Sequence, residues 1–258
     1  MRKTMVKIDT ELDLYKDQIG LMAKKVRKMY VLALDVLETG DKVKALSIVE
    51  LDEYVNNANE DINDRAIEVL SLLNPVAKDL RIVLAGIKIA TDLERIGDYA
   101  KNIGRFIIRN DKLDADLMVF VKPLGEKFLT FFDATLKAYQ KLDVTAAMEI
   151  PAHDDEIDAA FKQLLVYLEK LENEKSDVIP LIPTVGMLRN IERAGDHTKN
   201  ICEHIIYEVK GQHVDFGWAT KNIQIWMFFI VLVQWWEEAF NIFFDFAIRE
   251  VIVFCIVS

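Results

Sequence analysis

The sequence predicts an all-α protein made of two tandem three-helix bundles from an internal duplication, followed by a hydrophobic C-terminal extension. Apolar residues recur at spacings of three, four and seven over most of the chain, as in helices with one buried face. Only 10 Gly and 5 Pro occur in 258 residues, so we expect long helices with few turns. A twelve-residue segment occurs twice at a separation of 98 residues, which indicates a repeat.

The first half predicts three helices, at about 11–37, 42–73 and 75–110. Gly40 is placed to end the first helix and Asp41 to cap the second. Asn74 followed by Pro75 has the residue types of an N-cap and a first helical position. These two residues therefore predict the start of the third helix.

The second half repeats this pattern, with helices at about 117–142, 144–174 and 184–210. Asn110–Asp116 is polar and without periodicity, so it is the candidate linker between the halves. Pro151 either kinks the fifth helix or marks its true beginning. Gly211 is placed to end the sixth helix. The predicted domains are 1–110 and 111–217, and 218–258 is an aromatic-rich hydrophobic tail.

The duplicated segment, Asp92–Ile103 and Asn190–Ile201, carries oxygen-bearing side chains at every fourth position. Residues four apart lie on nearly the same face of a helix, so each copy forms one polar stripe. The stripes are Glu94, Asp98 and Asn102 in the first copy, and Glu192, Asp196 and Asn200 in the second.

Each stripe has an acidic counterpart on the preceding helix. Asp52 and Asn56 are expected to face the first stripe, and Asp154 and Asp158 the second. An all-oxygen pocket favours hard or borderline cations, here Fe, Mn, Mg or Zn. The candidate metal ligands are Asp52, Glu94, Asp98, Asp154, Asp158, Glu192 and Asp196, and the candidate supporting amides are Asn56, Asn102 and Asn200.

The opposing interpretation is that the stripes are solvated faces. Glu94 could simply pair with Arg95 or Lys101. Gly97 and Gly195 favour a functional role for the stripes. A glycine inside a helix costs about 1 kcal/mol of helix stability, and both copies of the motif keep one. Such a glycine allows close helix approach or leaves room for a ligand. Arg95 and its counterpart Arg193 are expected to orient the carboxylates as ion-pair partners.

Composition and motifs exclude several function classes. A net charge of −10 argues against nucleic-acid binding. No histidine follows an acidic residue by three positions, which argues against oxygen-activating di-iron chemistry. No GxSxG or P-loop is present, so the sequence supports neither nucleophilic catalysis nor a visible nucleotide site. Isolated Cys202 and Cys255, and an N-terminus without an apolar leader, predict a cytoplasmic protein.

The tail 218–258 contains all four Trp of the chain. Its charge-free run, 222–236, would span roughly 22 Å as a helix, which is short for a membrane span. Three interpretations remain open: a hydrophobic hairpin packed on the body or on a second subunit, a membrane-surface element giving peripheral contact, or a non-native extension.

At the duplicated motif the sequence resembles the PhoU family. Glu94–Asp98 and Glu192–Asp196 match the family's E(D)xxxD pattern, and each is followed by Lys-Asn-Ile. The segments Asn74–Arg81 and Asp52–Asn56 are also typical, and the resemblance covers roughly 1–216. It implies two three-helix bundles, with metal clusters on the acidic faces in some members.

The same resemblance implies a cytoplasmic, non-enzymatic negative regulator of phosphate uptake and phosphate-starvation signalling. The implied partners are the ATPase of the phosphate ABC transporter and a sensor histidine kinase, and a homodimer is expected. One alternative is an accessory protein of an ion-coupled phosphate carrier, docked at the membrane by the tail. An alternative from another class is a carboxylate-metal hydrolase.

Overall fold

The computed structural model of the chain describes residues 2–174 and 181–216, and within these ranges it contains helices and no strand. The helices are α1 (Arg2–Thr39), α2 (Lys42–Leu73), α3 (Lys78–Arg109), α4 (Ala115–Lys141), α5 (Val144–Glu149), α6 (Ala152–Glu174) and α7 (Leu181–Lys210). The predicted tail, 218–258, lies outside the described residues. No helix in the described ranges is long and apolar enough to cross a membrane.

Helices α1, α2 and α3 form the first bundle, and the predicted turn between α1 and α2 is confirmed. Gly40 ends α1 with a φ of 71°, in the left-handed region that glycine tolerates. The Asp41 carboxylate then accepts hydrogen bonds from the backbone N–H groups of Val43 and Lys44, each at 3.0 Å. These bonds satisfy two of the free donors at the start of α2.

The predicted start of α3 is wrong. Asn74 is the C-cap of α2, with φ 49°, and α3 begins only at Lys78, after Ala77. Asparagine is favoured both at N-caps and in the left-handed conformation that ends helices. Because Pro75 lacks an N–H and cannot continue α2, the helix ends before it and Asn74 takes the second role.

Helices α4, α6 and α7 form the second bundle, and the short helix α5 lies between α4 and α6. Of the two alternatives for Pro151, the structure selects the second: it precedes the first residue of α6. Proline lacks an N–H and is tolerated at a helix start, so α5 ends at Glu149 and α6 begins at Ala152. Gly211, with φ 69°, ends α7 as predicted.

The two bundles pack on each other within one compact unit, Met1–Phe216. Arg27 on α1 forms a bidentate ion pair with Asp133 on α4, with bonds of 2.5 and 2.7 Å. The rings of Tyr30 and Phe128 lie 4.3 Å apart at the same contact. The connection between α3 and α4 also packs against the body, because the backbone N–H of Leu113 donates to the carbonyl of Leu37 at 3.1 Å.

Helices α3 and α7, which carry the two copies of the motif, run antiparallel in contact. Asp92 near the start of the first copy contacts His204 beyond the end of the second, at 3.1 Å. Asn102 near the end of the first copy contacts Asn190 at the start of the second, at 3.5 Å. The two copies are therefore related by an approximate two-fold axis between the helices.

Gly86 on α3 provides a test of the packing of α3 against α1. A Cβ at this position would lie 2.7 Å from the hydroxyl oxygen of Tyr15 and would overlap its ring, which is fully buried. We expect Gly86→Ala to lower the free energy of unfolding by about 1–3 kcal/mol, measured by urea denaturation of the full chain.

Gly20 on α1 is the matched control, because a Cβ there would meet no atom within 4 Å. Gly20→Ala should raise stability by up to about 1 kcal/mol through helix propensity alone. Equal effects of the two substitutions would contradict the assignment of Gly86 to a helix contact.

Candidate functional site

The first acidic stripe lies at the contact between α2 and α3. Asp52 on α2 is only 4% exposed. Its Oδ2 accepts a hydrogen bond from Lys101 Nζ at 2.7 Å, and the same ammonium group bonds to Asp98. Asn56 donates to the same Asp52 oxygen at 3.2 Å. The structure thus brings Asp52 and Asp98 together as expected, with a lysine between them.

The second stripe repeats this arrangement at the contact between α6 and α7. Asp154 is 2% exposed, and Lys199 is 3% exposed. Lys199 Nζ lies 2.8 Å from Asp154 Oδ2 and 3.5 Å from Asp196 Oδ1. Asp158 and Glu192 are half-buried on the same two helices. Each bundle therefore buries one aspartate against a lysine from its copy of the motif.

Lys101 and Lys199 are the residues of the candidate site that the sequence interpretation missed. It considered Lys101 only as a partner of Glu94, whereas Lys101 bridges two aspartates. Glu94 instead lies 3.5 Å from Arg95, which also contacts Asp98 at 3.7 Å, so the orienting role expected of Arg95 is consistent with the structure. The available signal was the spacing: Lys101 and Lys199 each stand three residues after the motif aspartate.

The repeated glycines allow close helix approach. A Cβ on Gly195 would lie 2.9 Å from Asp154 Oδ1, so this glycine makes room for the buried carboxylate. A Cβ on Gly97 would lie 3.3 Å from Val55 Cγ1. In both bundles the glycine thus lies where the preceding helix presses against the motif helix.

Electrostatics in the first pocket oppose an excess of negative charge. Burial raises the pKa of Glu94, the charges of Asp98 and Asp52 raise it further, and Arg95 and Lys101 only partly offset this. Burial acts to lower the pKa of Lys101, but its hydrogen bonds to Asp52 and Asp98 outweigh burial, so that pKa is raised. The pocket favours a bound cation, and the lysine supplies one.

The carboxylates have the chemistry of a hard-cation site, and a lysine ammonium occupies its centre. Within residues 2–174 and 181–216, no three Asp, Glu, His or Cys side chains converge as metal ligands. In the first pocket, Asp52 Oδ1 and Asn56 Oδ1 are buried without a hydrogen-bond partner among these residues. Such oxygens suit Mg or Mn. A metal at this site would replace the lysine ammonium group as the counter-cation.

The remaining predicted amides face the other bundle. Asn102 contacts Asn190, and Asn200 donates to Asp92 at 3.3 Å. Asp92, which the sequence interpretation passed over, is the centre of a cross-bundle cluster on α3. His197 Nδ1 lies 2.8 Å from Asp92 Oδ1, and His204 Nε2 lies 3.1 Å from Oδ2.

Burial acts to raise the pKa of Asp92, but the hydrogen bonds and charges of His197 and His204 outweigh it, so the pKa is lowered. Tyr99 occupies the position in the first copy that His197 occupies in the second. Its hydroxyl oxygen lies 3.2 Å from His197 Nε2. The guanidinium of Arg193 lies 5.0 Å from the centre of the Tyr99 ring as a cation–π contact. This polar cluster fixes the register of α3 against α7.

Cys202 shows no sign of a nucleophile. Its side chain is fully buried, and burial raises the pKa of its thiol to about 12. The thiol is therefore protonated at neutral pH and unreactive. Its neighbour is the hydroxyl of Thr135, at 3.4 Å. Cys255 lies outside the described residues.

These features define a class of protein: a tandem-repeat helical protein whose two motif helices carry acidic stripes and pack antiparallel. The model of the PhoU domain family matches residues 19–107 and 121–205, one match in each repeat. The chain belongs to the PhoU family.

Two relatives are similar over most of this length. The phosphate-specific transport system accessory protein PhoU homolog of Clostridium acetobutylicum is 30% identical over 212 residues, covering 81% of this chain and 97% of the relative. The phosphate-specific transport system accessory protein PhoU of Escherichia coli is 30% identical over 206 residues, covering 79% and 86% respectively.

Solved structures of PhoU proteins have a similar fold. The crystal structure of PhoU from Pseudomonas aeruginosa superposes with a TM-score of 0.75 at 28% identity, covering 79% of this chain and 99% of that one. A phosphate transport system regulatory protein PhoU from Streptococcus pneumoniae, at 24% identity, gives the same TM-score and supports the fold.

The cluster around Asp92 predicts a stability effect that depends on pH. Asp92→Asn removes a buried charged acceptor shared by two histidines, so we expect the free energy of unfolding to fall by about 1–3 kcal/mol at pH 7. A carboxylate whose pKa is lower in the folded state than in the unfolded state stabilises the folded protein above its unfolded-state pKa. That stabilisation is lost as the pH falls through the folded-state pKa. The difference in free energy of unfolding between the wild type and Asp92→Asn should therefore narrow below about pH 3.9.

Denaturant unfolding between pH 3 and pH 7 measures this difference, and Asp155→Asn is the control at an exposed aspartate. A difference between wild type and Asp92→Asn that stays constant over the whole range would show that the Asp92 charge has no part in the effect.

Proposed function

We propose that this protein is a non-enzymatic accessory regulator of phosphate transport that acts as a cytoplasmic adaptor. The observation that carries the proposal is the family match in both repeats, together with relatives at about 30% identity named as accessory proteins of the phosphate-specific transport system.

As the finer form of this proposal, the protein restrains phosphate uptake and the response to phosphate starvation. It does so by contacting both the ATPase of the phosphate ABC transporter and the sensor histidine kinase, as a homodimer. Long helices packed into one unit suit this role, because they present extended rigid faces to large partners. The net charge of −10 favours partner surfaces that are basic.

We further propose that the acidic stripes hold a divalent or trivalent metal, with Fe, Mn, Mg and Zn as the candidates. Asp52, Glu94 and Asp98 would hold it in the first bundle, and Asp154, Asp158, Glu192 and Asp196 in the second. A bound metal would supply positive charge to the pocket that Lys101 or Lys199 neutralises in the structure. The Asp52 Oδ1 atom, buried without a hydrogen-bond partner in the described part of the chain, supports such a site.

Metal content tests the assignment directly. The full chain, purified without chelators or metal resin, should contain metal by elemental analysis. Substitution of Glu94, Asp98, Glu192 and Asp196 by Ala should abolish it, because it removes the carboxylates of both motifs. The control replaces four exposed acidic residues away from the stripes, Asp17, Asp64, Glu68 and Glu126, by Ala. Equal metal content in both variants would refute the assignment.

Competition between lysine and metal predicts a second effect. Lys101→Met and Lys199→Met each leave buried carboxylates without their counter-cation, which costs about 3–5 kcal/mol when a buried pair is broken. Added Mn should therefore raise the Tm of these variants more than that of the wild type. An equal rise would show that the lysine and the metal do not share a position.

Complementation tests the regulatory role. In a bacterium that lacks its own PhoU, expression of this chain should restore repression of a phosphate-responsive reporter in high-phosphate medium. A fully induced reporter despite normal levels of the folded protein would overturn the proposed function. The four-alanine variant of the stripes would then show whether any repression depends on the proposed metal ligands.

A further inference from the structure

The approximate two-fold relation between α3 and α7 is broken in one place. Buried Asp92 and half-buried Asn200 and His204 form the polar cluster at one end of the helix contact. The matching positions in the other copy, 98 residues away, are Asn190, Asn102 and Phe106. At this end Asn190 stands where the other copy has Asp92, and Phe106 stands where it has His204. These two residues carry no charge, so they form no counterpart of the charged cluster.

A cavity lies at this second end. Its volume is about 610 Å³, and Asn102, Phe106 and Asn190 line it. This volume is within the range of small-molecule sites, roughly 300–1,000 Å³. Where one end of the contact is closed by Asp92 between two histidines, the other end is open.

Two arginines give the cavity a positive charge. Arg105 and Arg109 both line it from α3. They are four residues apart, so both project from one face of the helix. Neither guanidinium has a hydrogen bond or an ion pair with any residue that the structure describes. No acidic residue is among the lining residues that the structure describes. In a chain of net charge −10, this is a local reversal of sign.

Amide groups complete the lining. Asn102 contacts Asn190 at 3.5 Å, and Asn110 lies at the end of α3 beside Arg109. Guanidinium groups bind phosphate oxygens through two parallel N–H bonds. The amide Nδ2 groups already donate within the protein, from Asn102 to Asn190 Oδ1, from Asn110 to the Phe106 carbonyl and from Asn190 to the Gly186 and Met187 carbonyls, so the arginines supply the donors for an anion. Two adjacent positive charges match a phosphate group, which carries about −1.5 to −2 at neutral pH.

We propose that this cavity binds a phosphate oxyanion, as free inorganic phosphate or as the phosphate group of a nucleotide. The site is separate from the acidic stripes and goes beyond the proposed function, because it makes the protein itself a receptor for a phosphate ligand. Arg105 and Arg109 are the anion-binding residues.

Equilibrium dialysis of the full chain with radiolabelled inorganic phosphate, and separately with ATP, tests the site. A chelator excludes binding through metal at the acidic stripes, and constant ionic strength fixes the screening. We expect saturable binding of at least one ligand. Binding of phosphate identifies the free ion, and binding of ATP alone identifies a nucleotide.

Charge variants give the specific result. The double variant Arg105→Gln with Arg109→Gln should bind at least about tenfold more weakly, because it removes both positive charges that face the anion. Arg189→Gln removes an exposed arginine of α7 that does not line the cavity, and it should bind as the wild type does.

A filling variant tests the cavity without changing charge. Gly186 lines the cavity, and a Cβ there would meet no atom within 4 Å, so Gly186→Leu should occupy the space and weaken binding. Gly20→Leu is its control on α1. The proposal is overturned if neither ligand binds saturably, or if the double arginine variant binds as tightly as Arg189→Gln.

Discussion

The interaction on which both bundles depend is the burial of an aspartate against a lysine from the motif helix. Asp52 and Asp154 are almost fully buried, and an isolated buried carboxylate would be strongly destabilising. Lys101 and Lys199 neutralise them and also contact the motif aspartate on their own helix. Each lysine therefore joins two helices and sets the depth at which they pack.

The same geometry explains why the motif combines acidic residues with a glycine. The carboxylate of Asp154 reaches its lysine only because Gly195 has no side chain in the way. Acidic stripes of this kind can be balanced by an internal ammonium group or by a metal ion. A metal ion in place of the ammonium group would differ from it in size and in the number of oxygens it holds.

Duplication gave the molecule two similar halves, and divergence gave the contact between them two different ends. One end is closed by Asp92 and its two histidines. The other is a cavity lined by Arg105 and Arg109. The closed end fixes the register of α3 against α7, so the position of the open end is fixed as well. A ligand in the cavity would contact both repeats at once, through α3 and α7.

The sequence by itself determined the helices, the repeat and the residues of the acidic stripes, because helical periodicity and a 98-residue spacing are local or countable patterns. The prediction failed at Asn74, where one residue type suits both a helix start and a helix end. Only the tertiary structure decided that Lys101 and Lys199 lie between the carboxylates, that Asp92 meets His197 and His204, and that two arginines border a cavity. Each of these depends on which helix faces which, and that choice follows from packing the two bundles against each other.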